Sequence, residues 1–201
     1  VMNHNQFDKL IHELAKLPSI GEKTATRLAL HILRQTPEYG HGLARALDEA
    51  ITAIRFCENC LNLSNSHRCN ICTDTRRDPQ LICVIEDISD LIAIEATHAF
   101  KGQYHVLHGT LSPIDGIGPD DLRIPELLER IKNHDIQEII LATNPNVTGD
   151  ATALYLAKLL KPFEIKTTKL ASGIPVGGHI EYIDHNTLSE ALSKRLEFGR
   201  V

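Results

Sequence analysis

Apolar residues in the first third of the chain recur at helical spacing. Phe7, Leu10, Ile11, Leu14 and Leu17 share one side of a helix that Pro18 ends. A second helix is expected after Gly21, with Ala25, Leu28, Ala29, Ile32 and Leu33 on its apolar side and Thr36-Pro37 as its stop. Leu43, Leu47, Ala50, Ile51 and Ile54 predict a third, over 43–56. From Leu81 the rhythm changes. Leu81 to Ile85 is an unbroken apolar run, the pattern of a parallel strand buried on both faces. Further strands are expected at 104–107, 138–142, 165–170 and 180–183. Helices are expected at 88–99, 124–131, 150–160 and 188–196, the last ending on Leu196. Strands alternating with helices predict a doubly wound parallel sheet.

This pattern divides the chain into five parts: a helical segment 1–56, a cysteine-rich segment 57–72, a polar linker 73–80, an α/β domain 81–172, and a closing loop, strand and helix at 173–201. The fold class is multi-domain α/β, α+β when taken as a whole. With 42% hydrophobic residues in 201, there is enough apolar material for a core in more than one modest domain. No apolar run reaches the ~18 residues that cross a bilayer, so no membrane association is expected. Val1 to Lys9 is too polar for a signal peptide. A cytoplasmic protein with reduced thiols is therefore expected.

The formal net charge of −5 argues against a nucleic-acid binder only until it is mapped along the chain. Residues 1–56 carry +1, residues 57–80 are neutral, and residues 81–201 carry −6. Any DNA contact is expected in the first eighty residues.

Four cysteines supply the most specific chemistry. Cys57-x2-Cys60 and Cys69-x2-Cys72 are separated by eight residues. Each turn aims two thiolates at one point, and two turns complete a tetrahedron around zinc. Leu61 and Leu63 are too little apolar material for a local core, so one zinc per chain would supply the folding energy. With all four positions filled by Cys57, Cys60, Cys69 and Cys72, the site is structural. His67 is a substitute ligand, and Cys83 reads as a buried small residue in a strand.

Leu17-Pro18-Ser19-Ile20-Gly21-Glu22-Lys23-Thr24-Ala25 joins the first two helices and resembles the helix-hairpin-helix family, with Ser19 where a glycine is usual. A tight hairpin ahead of a helix N-terminus turns backbone N–H groups toward a phosphate. Gly21 allows close approach or a positive φ, and Lys23 and Arg27, one turn apart, reach adjacent phosphates. Such contacts read no bases, so binding would be independent of sequence, on single or double strands.

The strand ending in Glu86, and the later one running into Thr143-Asn144-Pro145-Asn146-Val147-Thr148-Gly149-Asp150, resemble the Toprim domain of topoisomerases and primases. That resemblance implies a degenerate magnesium site, or a partner-binding site, at Glu86, Asn144, Asn146 and Asp150. Asn144 and Asn146 stand where the family has aspartates, so magnesium binding is expected to be weak or absent and no catalytic residue is assigned. The alternative is a magnesium-dependent nuclease or primase-like enzyme.

Hairpin, cysteine pairs, asparagine-substituted Toprim motif, the loop Ser112 to Gly118 and the segment Ala171 to Tyr182 follow in an order that resembles the RecR family of bacterial recombination mediators. The resemblance implies a non-enzymatic DNA-repair factor. It implies assembly into a ring, a tetramer, that works with RecO and RecF. Together they would help load RecA on single strands coated by single-strand-binding protein.

Overall fold

The computed structural model describes residues 5–171, 173–195 and 197; Ser172 and Leu196 lie outside them. The chain divides into two compact units, one up to Ile54 and one from Arg55.

The first unit is helical. α1 (Asn5–Ala15) stops before Pro18, α2 (Glu22–Arg34) starts after Gly21, and α3 spans Pro37–Ala53. The third helix therefore begins six residues before its first periodic leucine. Pro37 does not only stop α2; it occupies the first turn of α3, where a missing N–H costs nothing. Ala25 and Ala29 are fully buried on α2. Their small side chains let α1 and α2 approach closely.

The second unit is built on four parallel strands: β3 (Leu81–Ile85), β4 (Gln103–Val106), β5 (Glu138–Leu141) and β6 (Lys166–Lys169). They form one sheet in the order β4-β3-β5-β6. Three helices make the crossovers: α5 (Ile88–Ala96), α6 (Ile124–Asn133) and α7 (Val147–Leu160). The sheet splits the core in two. Ile82 and Val84 pack with Leu127, Ile131 and Leu156 of α6 and α7. Cys83, Ile85, Tyr104 and Val106 face the other way, toward Leu91 of α5. Both faces of β3 are filled, which is why its sequence shows no alternation.

The cysteine segment belongs to this unit. A two-residue hairpin, β1 (Arg55–Phe56) with β2 (Leu63–Ser64), and one helical turn, α4 (Asn70–Thr73), frame the cysteines. Leu61 and Ile71 pack into the α5-side cluster. Hydrogen bonds complete the docking: Val106 N–H donates to the Cys60 carbonyl at 3.0 Å, and His108 Nε2–H to the Leu61 carbonyl at 2.8 Å. Residues 73–80 are also tied down. Arg77 forks onto Glu95 of α5, at 3.0 and 2.5 Å, and reaches the Gly102 carbonyl at 3.1 Å.

One expected element is different. Ile180–Tyr182 is a 3-10 turn, closed by Tyr182 N–H on the His179 carbonyl, and not a strand. Ile180 and Tyr182 remain exposed, so the apolar residues of this segment are not drawn into the sheet. The last helix, α8, spans His185–Ser193, three residues earlier than its apolar spacing indicated, because Asp184 caps it.

Candidate functional site

Three sets of residues carry chemistry. The first is the cysteine cluster. The sulfurs of Cys57, Cys60, Cys69 and Cys72 lie within 4.8 Å of one another. Zn–S bonds of ~2.3 Å in a tetrahedron require sulfurs ~3.8 Å apart, and the Cys60–Cys69 separation is 3.5 Å. The donor set thus fits zinc in number, spacing and chemistry. Two N–H groups point at the sulfurs: Cys69 N–H to Cys57 Sγ and Asn59 Nδ2–H to Cys72 Sγ, each at 3.3 Å. Left to themselves, the thiols share protons. Hydrogen bonds from Cys60 and then Cys72 hold Cys69 far below the usual thiol range, whereas Cys60 is pushed far above it by its bonds to Cys69 and Cys72 and by burial. A divalent cation removes that conflict. His67 is not in the cluster; its Nδ1 meets Glu58 at 2.6 Å on the surface. Cys83 is also apart, buried in β3 with its thiol pushed up to about 12 by desolvation.

The second set is the hairpin. Gly21 is the N-cap of α2 and offers no side-chain cap, so the N–H groups of the first turn are left for a ligand. A methyl group at Gly21 would meet nothing within 4 Å, so the space before the helix is open. Gly21 itself has φ −79°, an ordinary value. The positive φ falls on Ser19, at 65°. The hairpin therefore needs its left-handed residue two positions earlier, at the site where glycine is usual. Ser19→Gly is expected to leave stability unchanged or raise it slightly, and Ser19→Val to lose about 1–2 kcal/mol, as read by urea unfolding. Lys23 and Arg27 are exposed, and neither forms an ion pair among the described residues. The basic residues after the cysteines differ. Arg76 is held by Asp74 at 2.9 Å and Arg77 by Glu95. Arg68, inside the cysteine segment just before Cys69, has no acid partner among the described residues.

The third set lies at the carboxyl edge of β3 and β5, where the strand order reverses and α/β sheets keep their sites. Glu86 and Asn144 meet there. The Glu86 carboxylate, 8% exposed, accepts the Asn144 backbone N–H at 2.7 Å and its Nδ2–H at 2.6 Å. Asn146 turns away to cap α7, its Oδ1 accepting Gly149 N–H at 2.8 Å. Asp150 pairs with Lys169 at 2.5 Å. Of the four positions aligned with Toprim ligands, the structure brings two together; the other two have local partners. Gly149 seals the site, because a Cβ there would collide with the Asn144 carbonyl oxygen and sit 2.6 Å from Glu86 Oε1. Gly149→Ala should cost about 2 kcal/mol or more in urea unfolding.

Arg130 was not singled out by its sequence. It is 6% exposed, and its guanidinium donates to the carbonyls of Tyr104 at 2.7 Å and Asn59 at 3.3 Å and to Gln103 Oε1. Its position between Leu127 and Ile131, beside the apolar side of α6, was the available signal.

A helical hairpin, a four-cysteine cluster and a parallel sheet with a Glu-Asn edge define a modular Toprim-containing protein. Residues 80–171 match the Toprim domain, residues 7–51 the RecR helix-hairpin-helix and residues 173–195 the RecR C-terminal family. Recombination protein RecR of Myxococcus xanthus is 52% identical over 194 residues, covering 96% of this chain and 98% of that one. The RecR proteins of Anaeromyxobacter sp. (54% over 189 residues; 94% and 96%) and Streptomyces coelicolor (54% over 186 residues; 92% and 94%) are similar to the same extent. The chain belongs to the RecR family, which gives it a role in recombination and repair. No helix among the described residues is long and apolar enough to cross a membrane.

Proposed function

We propose that the protein is a DNA-binding recombination mediator with no catalytic activity of its own. The observation that carries this reading is the pair Lys23 and Arg27: exposed, without an ion-pair partner among the described residues, one turn apart, directly behind the uncapped start of α2. Phosphates held there would be read for charge and not for bases. Cys57, Cys60, Cys69 and Cys72 would hold one structural zinc. The protein would work in the cytoplasm with RecO and RecF, helping RecA onto single strands coated by single-strand-binding protein. Assembly into a ring, a tetramer, is supported by apolar side chains at helical spacing that this chain leaves uncovered: Leu47 is 58% and Ile51 81% exposed on α3, and Leu33 62% on α2. Fluorescence anisotropy with labelled DNA across a salt series tests the reading. Binding should weaken steeply with salt, be the same for unrelated sequences and need no magnesium. Absence of any salt-dependent DNA retention would leave a protein adaptor with no nucleic-acid role.

The absence of catalysis is supported by Glu86. Both its oxygens already accept from Asn144, one from the backbone N–H and one from the side-chain amide, so neutral donors occupy the carboxylate that a cation would need. Replacing Asn144 and Asn146 together by Asp should create that pair. The double variant should gain a magnesium-dependent rise in melting temperature of several degrees, by ordinary ligand linkage. The parent should show none, and no strand cleavage or primer synthesis with magnesium. Robust magnesium-dependent turnover by the parent would favour the nuclease or primase-like alternative.

A further inference from the structure

A buried guanidinium normally closes on a carboxylate, because an unpaired ion in the interior is costly. Arg130 does not. Its three acceptors, the carbonyls of Tyr104 and Asn59 and the amide of Gln103, are all neutral. The carboxylates near it are engaged elsewhere or remain at a distance: Glu126 pairs with Arg123 at 3.0 Å, and no carboxylate closes on Arg130 among the described residues. What it does reach is the backbone of the cysteine segment. Asn59 lies between Cys57 and Cys60; its carbonyl accepts from Arg130 while its Nδ2–H donates to Cys72 Sγ at 3.3 Å. The same amide reaches Gln103 at 3.2 Å, the residue that Arg130 also grips. Burial pushes the Arg130 pKa down, and the sulfurs of Cys72, Cys60, Cys57 and Cys69 pull it back.

A zinc ion with four thiolates carries a formal charge of about −2. We propose that Arg130 is the buried counter-cation of the four-cysteine metal centre, a positioning residue of α6 that stabilises the zinc through its charge and fixes Asn59 against Cys72. This rests on the zinc reading above. It also accounts for a buried arginine on α6 whose acceptors are all neutral. Metal occupancy and docking of the cysteine segment become one equilibrium.

The test uses the full chain with Arg130→Lys, Arg130→Gln and Arg130→Met. Zinc per chain is measured by elemental analysis and zinc transfer to a chromophoric chelator is timed, with Leu156→Ala as a core-destabilised control far from the cysteines in sequence. Loss of a partner just outside a metal's ligands costs about 10- to 100-fold in affinity. Arg130→Met and Arg130→Gln should fall in that range, and Arg130→Lys should stay within a few-fold of the parent. Lys holding zinc better than Gln is what charge requires; it also settles the matter if Arg130→Met does not fold. Gln equal to Lys would reduce Arg130 to a hydrogen-bonding clamp and overturn the proposal. So would parental zinc retention in Arg130→Gln, or equally fast release from Leu156→Ala. A zinc-free parent would sink the metal reading itself, a result distinct from all of these.

Discussion

Cys60→Ser should produce the largest stability loss of any single substitution in this chain. Cys60 is fully buried, its sulfur lies 3.5 Å from that of Cys69, and its carbonyl receives Val106 N–H from β4. The segment has little else to hold it. Its strands are two residues long, and Leu61 sits at a positive φ of 63° that only the surrounding contacts enforce. Structural zinc supplies an apparent ~10–16 kcal/mol in small finger peptides, as much as the whole stability of an ordinary domain. If Cys57, Cys60, Cys69 and Cys72 hold zinc as proposed, losing it should free the segment from the sheet. Val106 N–H and the Arg130 guanidinium would then lose the Cys60 and Asn59 carbonyls, so two further hydrogen bonds of the docked segment go with the metal. A fall of about 10 °C or more in melting temperature is expected for Cys60→Ser, for Cys69→Ser and for chelator-treated parent protein. Protease cleavage should become fast between residues 57 and 72. Parent protein stripped of metal that keeps its melting point and its resistance to protease would show that the cysteines are held by packing alone.

What the sequence disclosed and what it withheld follow from the range of the interactions. The clustering of the four cysteines was legible because their spacing within sixteen residues is enough to bring the sulfurs together. β3 was legible end to end because both its faces are buried, and the hairpin because its turn, its glycine and its first helical turn are contiguous. Docking of the cysteine segment was not legible. It depends on Leu61 and Ile71 meeting Cys83 and Tyr104, and on a hydrogen bond between Cys60 and Val106, pairs far apart in sequence. The Glu-Asn edge was half legible. Substitution of Asn for Asp was visible, but not that Asn144 would donate twice to Glu86 while Asn146 left to cap a helix. Gly21 offered close approach or a positive φ; its space is open, and the left-handed position is Ser19, where a serine carries no local sign of its φ. The strand expected at 180–183 is a 3-10 turn, because a short apolar run does not itself supply a neighbouring strand to pair with.

The double variant Lys23→Ala, Arg27→Ala should bind DNA far more weakly while folding and assembling as the parent does. Both side chains are exposed on α2, and the residues that pack this helix are Ala25 and Ala29, so neither substitution opens the core. Each phosphate neutralised on a single strand contributes about 0.7 to the slope of log affinity against log salt. Without the two cations, the slope should therefore flatten by about 1.4 for every subunit that engages the strand. If parent and variant converge near ~1 M salt, the same slope corresponds to about tenfold in affinity per engaged subunit at ~0.15 M salt. Engagement by several subunits multiplies the loss, because each weak interaction raises the effective concentration for the next. The change in slope thus counts the engaged subunits, which a single affinity cannot do. The loss should be equal for unrelated DNA sequences, since no base edge is read. Zinc content and particle mass by light scattering should stay at parental values. The measurement is a set of binding isotherms across salt on one single strand and one duplex. A variant of normal mass that binds with the parent's slope would remove the hairpin as the DNA surface. Arg68, which no acid holds among the described residues, would be the next residue to replace.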